Sequence, residues 1–155
     1  MRNSAGVRME RTGWRCQEIS ERHRHWGYNC PAVDLDFVVA EYNYGKPVAL
    51  VEYKDRRYSA ANTSNRTYDA LKALANGYSP GAIPFLIAVY CPDDWWFVVH
   101  PMNAVAEAHY RHCAGKAISE QRFVKSLYML RKSVLTVEDE KYISMLNTTM
   151  PQVNV

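Results

Sequence analysis

Residues 48–54 read Val-Ala-Leu-Val-Glu-Tyr-Lys, and this stretch decides the fold that the sequence predicts. Its apolar run favours a β-strand. Residues 33–42 before it read Val-Asp-Leu-Asp-Phe-Val-Val-Ala-Glu-Tyr and are also rich in strand formers. Residues 43–45, Asn-Tyr-Gly, are a turn signal, and Gly45 suits a positive φ in a three-residue loop. The two segments therefore predict a β-hairpin.

Apolar periodicity and helix-ending glycines predict further helices and strands on both sides of the hairpin. Helices are expected at about 14–26, 66–76, 120–132 and 137–147, and strands at 83–91 and 95–100. A helix between two strands implies a crossover connection and hence a mixed sheet. The predicted fold class is α/β (α+β), a mixed central sheet flanked by helices in one domain, with a core at about 14–102 and C-terminal helices at about 118–148.

Three charged residues meet on one face of the predicted hairpin. With the turn as its loop, Tyr42 pairs with Lys46, and counting along both strands sets Asp36 opposite Glu52. Directly opposed residues on antiparallel strands have Cβ atoms about 4.5–5.5 Å apart. Lys54 follows Glu52 by two positions, so it lies on the same face. The pattern predicts two carboxylates and one ammonium in a single patch.

Such a patch suits metal-assisted hydrolysis of a phosphodiester. Two close carboxylates repel each other unless a cation lies between them. Magnesium prefers oxygen ligands and is usually held by one or two carboxylates, waters and substrate phosphates. A metal there would activate water, and the lysine would orient or deprotonate that water or stabilise the transition state.

The D…ExK pattern of Asp36, Glu52 and Lys54 on a hairpin resembles the PD-(D/E)xK nuclease superfamily. The resemblance covers roughly residues 15–100, and it extends to small Holliday-junction resolvases and compact phage nucleases. It implies a restriction-endonuclease-like core and DNA cleavage, as an endonuclease or exonuclease, with Mg²⁺ or Mn²⁺ as cofactor. It also implies a homodimer, because the chain is too small to embrace a duplex alone. No organic cofactor is expected.

The sequence departs from the family pattern at the aspartate. Pro31 does not directly precede an acid, so no proline–aspartate pair is present. Asp34 competes with Asp36 for the metal position; the hairpin count favours Asp36, and Asp34 could serve a second position. The family commonly adds a glutamate from its first helix, and both Glu18 and Glu21 are candidates, with Glu18 preferred because it lies nearer the predicted buried face.

Positive charge is concentrated around this patch, in a chain of net charge +3. Basic and amide side chains there are expected to contact DNA phosphates: Arg22, Arg24, Arg56, Arg57, Asn65 and Arg66. The aromatic residues 95–97 are candidates for base stacking, although such residues more often cover a core.

Other features exclude several classes of protein. No run approaches the ~20 apolar residues of a membrane helix, and no signal peptide precedes the first predicted helix. The four cysteines form no CxxC pair, which argues against zinc and iron–sulfur sites. A cytoplasmic protein is expected, with a phage gene in a bacterial host as one setting. The alternative function is a catalytically silent nucleic-acid-binding or protein-interaction module on the same fold.

Overall fold

The structure is a computed structural model that describes residues 35–41, 45–57 and 63–149. All described residues belong to one compact unit. In chain order the elements are β1 (Phe37–Glu41), β2 (Lys46–Asp55), α1 (Arg66–Gly77), β3 (Phe85–Cys91), β4 (Trp96–Pro101), α2 (Ala104–Tyr110), β5 (Ala117–Ser119), α3 (Glu120–Ser133) and α4 (Val137–Thr149). The helix predicted at about 14–26 lies outside the described residues.

The strands form one mixed sheet in the order β1-β2-β3-β4-β5. β2 and β3 are parallel, and the other neighbouring pairs are antiparallel. The parallel pair follows from α1, because parallel neighbours need a crossover and the helix supplies it. The predicted fold class, a mixed sheet flanked by helices, is confirmed. The restriction-endonuclease-like core remains an expectation from the resemblance.

Helices pack on both faces of the sheet, and each face has its own apolar core. The α1 face packs strand residues against α1 through Leu50, Phe85, Ile87, Tyr68, Leu71 and Ala75. The opposite face, called the α3 face, is built from Val51, Leu86, Ala88, Val99, Phe123 and Leu130. Neighbours such as Leu50 and Val51 enter different cores because side chains alternate along a strand. β3 is buried on both faces, as its nearly unbroken apolar sequence predicts.

The β1–β2 hairpin contains a β-bulge that the sequence did not predict. Glu41 pairs with Lys46, so the predicted pairing of Tyr42 with Lys46 is wrong, and the loop is one residue longer than expected. Gly45 has φ +60°, the positive value that the turn signal predicts.

The bulge then restores the predicted register. Ala40 pairs with Pro47, but the next residue, Val39, pairs with Ala49, so Val48 is the extra residue. Proline cannot donate a ladder hydrogen bond and is tolerated at such irregular positions. Val48 and Ala49 both lie in the core of the α3 face. Beyond the bulge the strands pair as the hairpin count requires.

Helix α2 and strand β5 were missed in the sequence, although Asn103 signals the start of the helix. Its side-chain oxygen accepts hydrogen bonds from the backbone N–H of Ala106 and of Phe85, both at 3.1 Å. Its amide nitrogen donates to the Ile83 carbonyl at 2.8 Å and to Asn76 Oδ1 at 2.9 Å. One buried amide therefore connects α1, the start of β3 and α2. An asparagine before an apolar, alanine-rich run is an N-cap signal.

The remaining boundaries differ from the predicted ones by a few residues. β1 begins at Phe37 rather than at residue 33, and β3 begins at Phe85 rather than at residue 83. β4 begins at Trp96, because Trp95 has φ +48° and belongs to the turn. The helices predicted at 120–132 and 137–147 are confirmed as α3 and α4.

Two further expectations concern described residues. Within the described part of the chain, no helix combines the length and apolarity that a membrane span requires. Cys91 and Cys113 are free thiols, whereas Cys16 and Cys30 lie outside the described residues.

A buried ion pair ties β1 to α3. The Glu41 side chain is completely buried, and Arg131 Nε donates to its carboxylate while the Arg131 side chain stays 41% exposed. Removing a carboxylate from water is costly unless charged or hydrogen-bonding groups replace the water. The pair therefore stabilises the buried carboxylate at the end of β1.

We expect Arg131→Met to lower the free energy of unfolding by roughly 3 kcal/mol, because it deprives a buried carboxylate of its cation. Urea unfolding followed by circular dichroism measures the change. Lys132→Met is the matched control: its ammonium lies 3.9 Å from Glu140 and its side chain is 76% exposed, so a loss of ~0.5 kcal/mol or less is expected. Equal losses for the two variants would contradict the role given to Arg131.

Candidate active site

Glu52 and Lys54 lie at the carboxyl end of β2 on the α1 face. Leu50 packs in the core of that face, and the alternation of the strand brings Glu52 and Lys54 to the same side. Glu52 is buried at 8% exposure, although it is charged. Tyr68, in the first turn of α1, is close enough to act electrostatically on the Lys54 ammonium. The patch therefore lies where β2 ends and α1 begins.

Asp36 directly precedes β1 and lies beside Glu52. The β1–β2 pairing ends one residue earlier in the ladder, at Phe37 and Val51. The Asp36 backbone N–H donates to Glu52 Oε2 at 3.4 Å, and the Tyr53 N–H donates to Asp36 Oδ2 at 2.9 Å. The structure thus places Asp36 beside Glu52, as the hairpin count predicts, and the two residues are joined through the Asp36 backbone N–H. Their role in catalysis stays a prediction.

Lys54 forms an ion pair with Glu52. Its Nζ donates to Glu52 Oε1 at 2.6 Å, and the two side chains are 27% and 10% exposed. Burial lowers the pKa of Lys54, but the hydrogen bond to Glu52 and its negative charge outweigh this effect and raise the pKa above its ordinary value. Lys54 is therefore an ammonium at neutral pH in this arrangement.

The two carboxylates fit a magnesium or manganese ion as a partial ligand set. Among the described residues, Asp36 Oδ1 accepts no hydrogen bond, whereas both Glu52 oxygens are engaged. The described residues contain no group of three histidine, cysteine or acidic side chains that could hold a metal. Magnesium usually needs only one or two carboxylates, because waters and substrate phosphates complete its shell. Asp34, Glu18 and Glu21 lie outside the described residues.

Arg56 is held over an aromatic ring on the same face. Its guanidinium carbon lies 4.9 Å from the Trp96 ring centroid, and its backbone N–H donates to the Tyr90 carbonyl at 2.9 Å. Trp96 pairs with Cys91, so Arg56 reaches across β3 to rest on β4. Stacking on indole stabilises a cation and limits its rotamers. Arg56 is thereby a fixed positive charge two residues beyond Lys54.

The other residues that are predicted to contact DNA lie in different environments. Arg57 binds the Asp55 carboxylate, with Nη2 to Oδ2 at 2.8 Å, and its hydrogen bonds lower the pKa of Asp55. Asn65 is the N-cap of α1, because its Oδ1 accepts from the Thr67 N–H at 3.1 Å. Arg66 is exposed in the first turn of that helix. Arg22 and Arg24 lie outside the described residues.

The aromatic residues 95–97 separate into three environments. Phe97 is buried in the core of the α3 face, as the core interpretation predicts. Trp96 lies under Arg56, and Trp95 is 49% exposed. The Trp96–Arg56 contact had no signal in the sequence, because it joins residues 40 positions apart across an intervening strand.

Comparison with known proteins finds no relative: no protein-family model, no curated protein and no solved structure matches this chain. The resemblance to the PD-(D/E)xK superfamily therefore rests on Asp36, Glu52 and Lys54, and on their placement on the hairpin.

We expect Lys54→Met to bind Mn²⁺ roughly tenfold more tightly in the absence of DNA, because the variant removes a competing cation about 3 Å from a ligand oxygen. Isothermal titration calorimetry measures the affinity. Lys72→Met, which removes an exposed lysine of α1, is the control and should leave it unchanged. Weaker Mn²⁺ binding by Lys54→Met would mean that the carboxylates do not hold the metal.

Proposed function

We propose that this protein is a metal-dependent DNA nuclease of the PD-(D/E)xK type. The observation that carries the proposal is the hydrogen bond from the Asp36 backbone N–H to the Glu52 carboxylate, which also binds the Lys54 ammonium at 2.6 Å. A buried glutamate at a strand end is costly for stability and is typical of a functional site. The proposal includes Mg²⁺ or Mn²⁺ as cofactor and cleavage as an endonuclease or exonuclease.

In this proposal Asp36 and Glu52 hold the metal, assisted by Asp34 or by Glu18 or Glu21. The ion, when bound, supplies a water of lowered pKa and neutralises charge on the scissile phosphate. Lys54 takes part in the proposed reaction as an ammonium, since its pKa is raised above the ordinary value. It therefore donates hydrogen bonds to the attacking water or to a phosphate oxygen, and it stabilises developing negative charge rather than removing a proton.

DNA is the proposed substrate because Arg56 directly follows β2 and Arg66 begins α1, the two elements between which the candidate site lies. Arg56 is oriented by Trp96, and exposed Arg66 begins α1. Phosphate contacts of this kind position a strand without reading its bases. A homodimer acting in the cytoplasm completes the proposal, with the second copy supplying the surface that one small chain lacks for a duplex.

A second candidate function is a catalytically silent nucleic-acid-binding module. The observation that favours it is the same Lys54–Glu52 ion pair, because an ammonium that permanently neutralises the glutamate would exclude a metal. The two functions differ in one measurable property, which is metal-dependent cleavage.

We expect purified protein to cleave branched, single-stranded or linear DNA when Mg²⁺ or Mn²⁺ is present and not when EDTA replaces it. Asp36→Asn, Glu52→Gln and Lys54→Met should each reduce the cleavage rate by about 10²-fold or more, because each removes a ligand or a transition-state contact. A gel-based assay with end-labelled substrates measures the rates.

Glu138→Gln and Lys72→Met are the matched controls, since they replace exposed charges of α4 and of α1 beyond its first turn. Their rates should equal that of the unmodified chain. Cleavage that persists in Glu52→Gln would indicate another site or a contaminant and would contradict the mechanism. DNA binding without cleavage of any substrate would favour the silent module.

We expect Arg56→Met and Arg66→Met to weaken DNA binding and to reduce the slope of log affinity against log salt by about 1 each, since each removes one phosphate contact. Arg57→Met should have a smaller effect, because Asp55 already pairs with this guanidinium. Fluorescence anisotropy over a series of salt concentrations measures the slopes. Arg122→Met, on the helix of the opposite face, is the control, and a slope change as large as that of Arg56→Met would contradict this DNA path.

A further inference from the structure

Five aromatic rings form a closed circuit on the α3 face. Consecutive ring centroids are separated by 6.3 Å between Tyr53 and Tyr90, 6.1 Å between Tyr90 and Trp95, and 6.5 Å between Trp95 and Phe97. Phe97 stacks on Phe123 at 4.3 Å, and Phe123 meets Tyr53 at 6.2 Å. Each ring therefore contacts two others of the five.

These five rings line an open groove of about 370 Å³. Phe97 and Phe123 are buried and form its floor, whereas Trp95 is 49% exposed and forms its rim. Val124 and Leu127 of α3 complete the apolar wall. The groove lies in the ~300–1,000 Å³ range of small-ligand sites.

Among the described residues that line the groove, Glu120, the first residue of α3, is the one acidic or basic side chain. Asp93 and Asp94, both exposed, directly precede Trp95 in the β3–β4 turn. Aromatic faces are also electron-rich, and they attract cations within about 6 Å of the ring centroid. Rings and carboxylates together are complementary to a positively charged ligand that has apolar surface.

We propose that this groove binds an organic cation, either a quaternary ammonium or a guanidinium group. The rings contact its apolar surface and attract its charge, and Glu120 supplies the counter-charge at the rim. A polynucleotide is the less suitable ligand, because the carboxylates repel phosphates.

The proposed cation site is separate from the candidate active site. Tyr53 lies between Glu52 and Lys54 in sequence, but it faces the opposite side of the sheet, toward Phe123. Cation binding therefore does not depend on the proposed nuclease function, and either proposal can fail without the other.

The test is a titration of the full chain with choline and, in parallel, with its neutral isostere 3,3-dimethylbutan-1-ol. The indole N–H resonance of Trp95, assigned from the spectrum of Trp95→Phe, reports binding by NMR. We expect choline to shift this resonance and to bind about tenfold more tightly than the neutral isostere. Glu120→Gln should weaken choline binding several-fold and leave binding of the isostere unchanged, whereas Glu138→Gln on α4 should alter neither.

Two further ligands distinguish the sources of the cation. Tighter binding of N-acetyl-trimethyllysine amide or N-acetyl-arginine amide than of choline would indicate a protein side chain as the natural ligand. Equal binding of choline and its isostere, or choline binding that Glu120→Gln does not change, would overturn the cation site. Displacement of choline by single-stranded DNA would overturn it in favour of base stacking. Absence of any shift at Trp95 would exclude a site in this groove.

Discussion

The alternation of side chains along β2 is the constraint on which the rest of the molecule depends. Leu50 anchors α1, and Val51 belongs to the core beneath α3. The same alternation then carries Glu52 to one face and Tyr53 to the other. A one-residue slip of this strand would exchange the two faces, placing a charged side chain in an aromatic cluster and an aromatic one among carboxylates. The register of β2 is therefore set by both faces at once.

Electrostatics at the end of β2 depend on the balance between two carboxylates and one ammonium. Asp36 is exposed and Glu52 is buried, so water stabilises the first charge while Lys54 stabilises the second. An incoming divalent cation would compete with Lys54 for the same oxygen. Such competition would free the ammonium to turn toward a substrate phosphate. In the proposed mechanism the ion pair would thus have a structural role before substrate binds and a chemical role afterwards.

Much of the fold follows from local sequence signals, and the missed parts follow from long-range contacts. The runs at residues 48–54 and 83–91 are apolar enough to identify β2 and β3, and α1 follows from its helical periodicity. The bulge at Val48 could not be predicted, because its cause is the packing of two consecutive side chains into one core. α2 is short. Asn103 connects it to other elements through hydrogen bonds to backbone groups that are distant in sequence.

For the candidate site, as for the fold, local patterns predicted one part, and another part depends on long-range contacts. The count that sets Asp36 opposite Glu52 began from a wrong pair at the turn, and the bulge compensates for the error. The contact of Arg56 with Trp96 depends on the strand order of the sheet, which no local pattern specifies.

The inward carboxylate of Glu41 has a consequence for association between chains. In the described part of the sheet β1 is the edge strand, and Phe37 and Val38 on it are 51% and 50% exposed. Exposed apolar edge strands invite pairing with a strand of another molecule. A completely buried charge and an adjacent bulge both oppose that pairing, because neither fits a flat intermolecular sheet. We therefore expect Glu41 to disfavour edge-to-edge pairing at β1, the strand that follows Asp36.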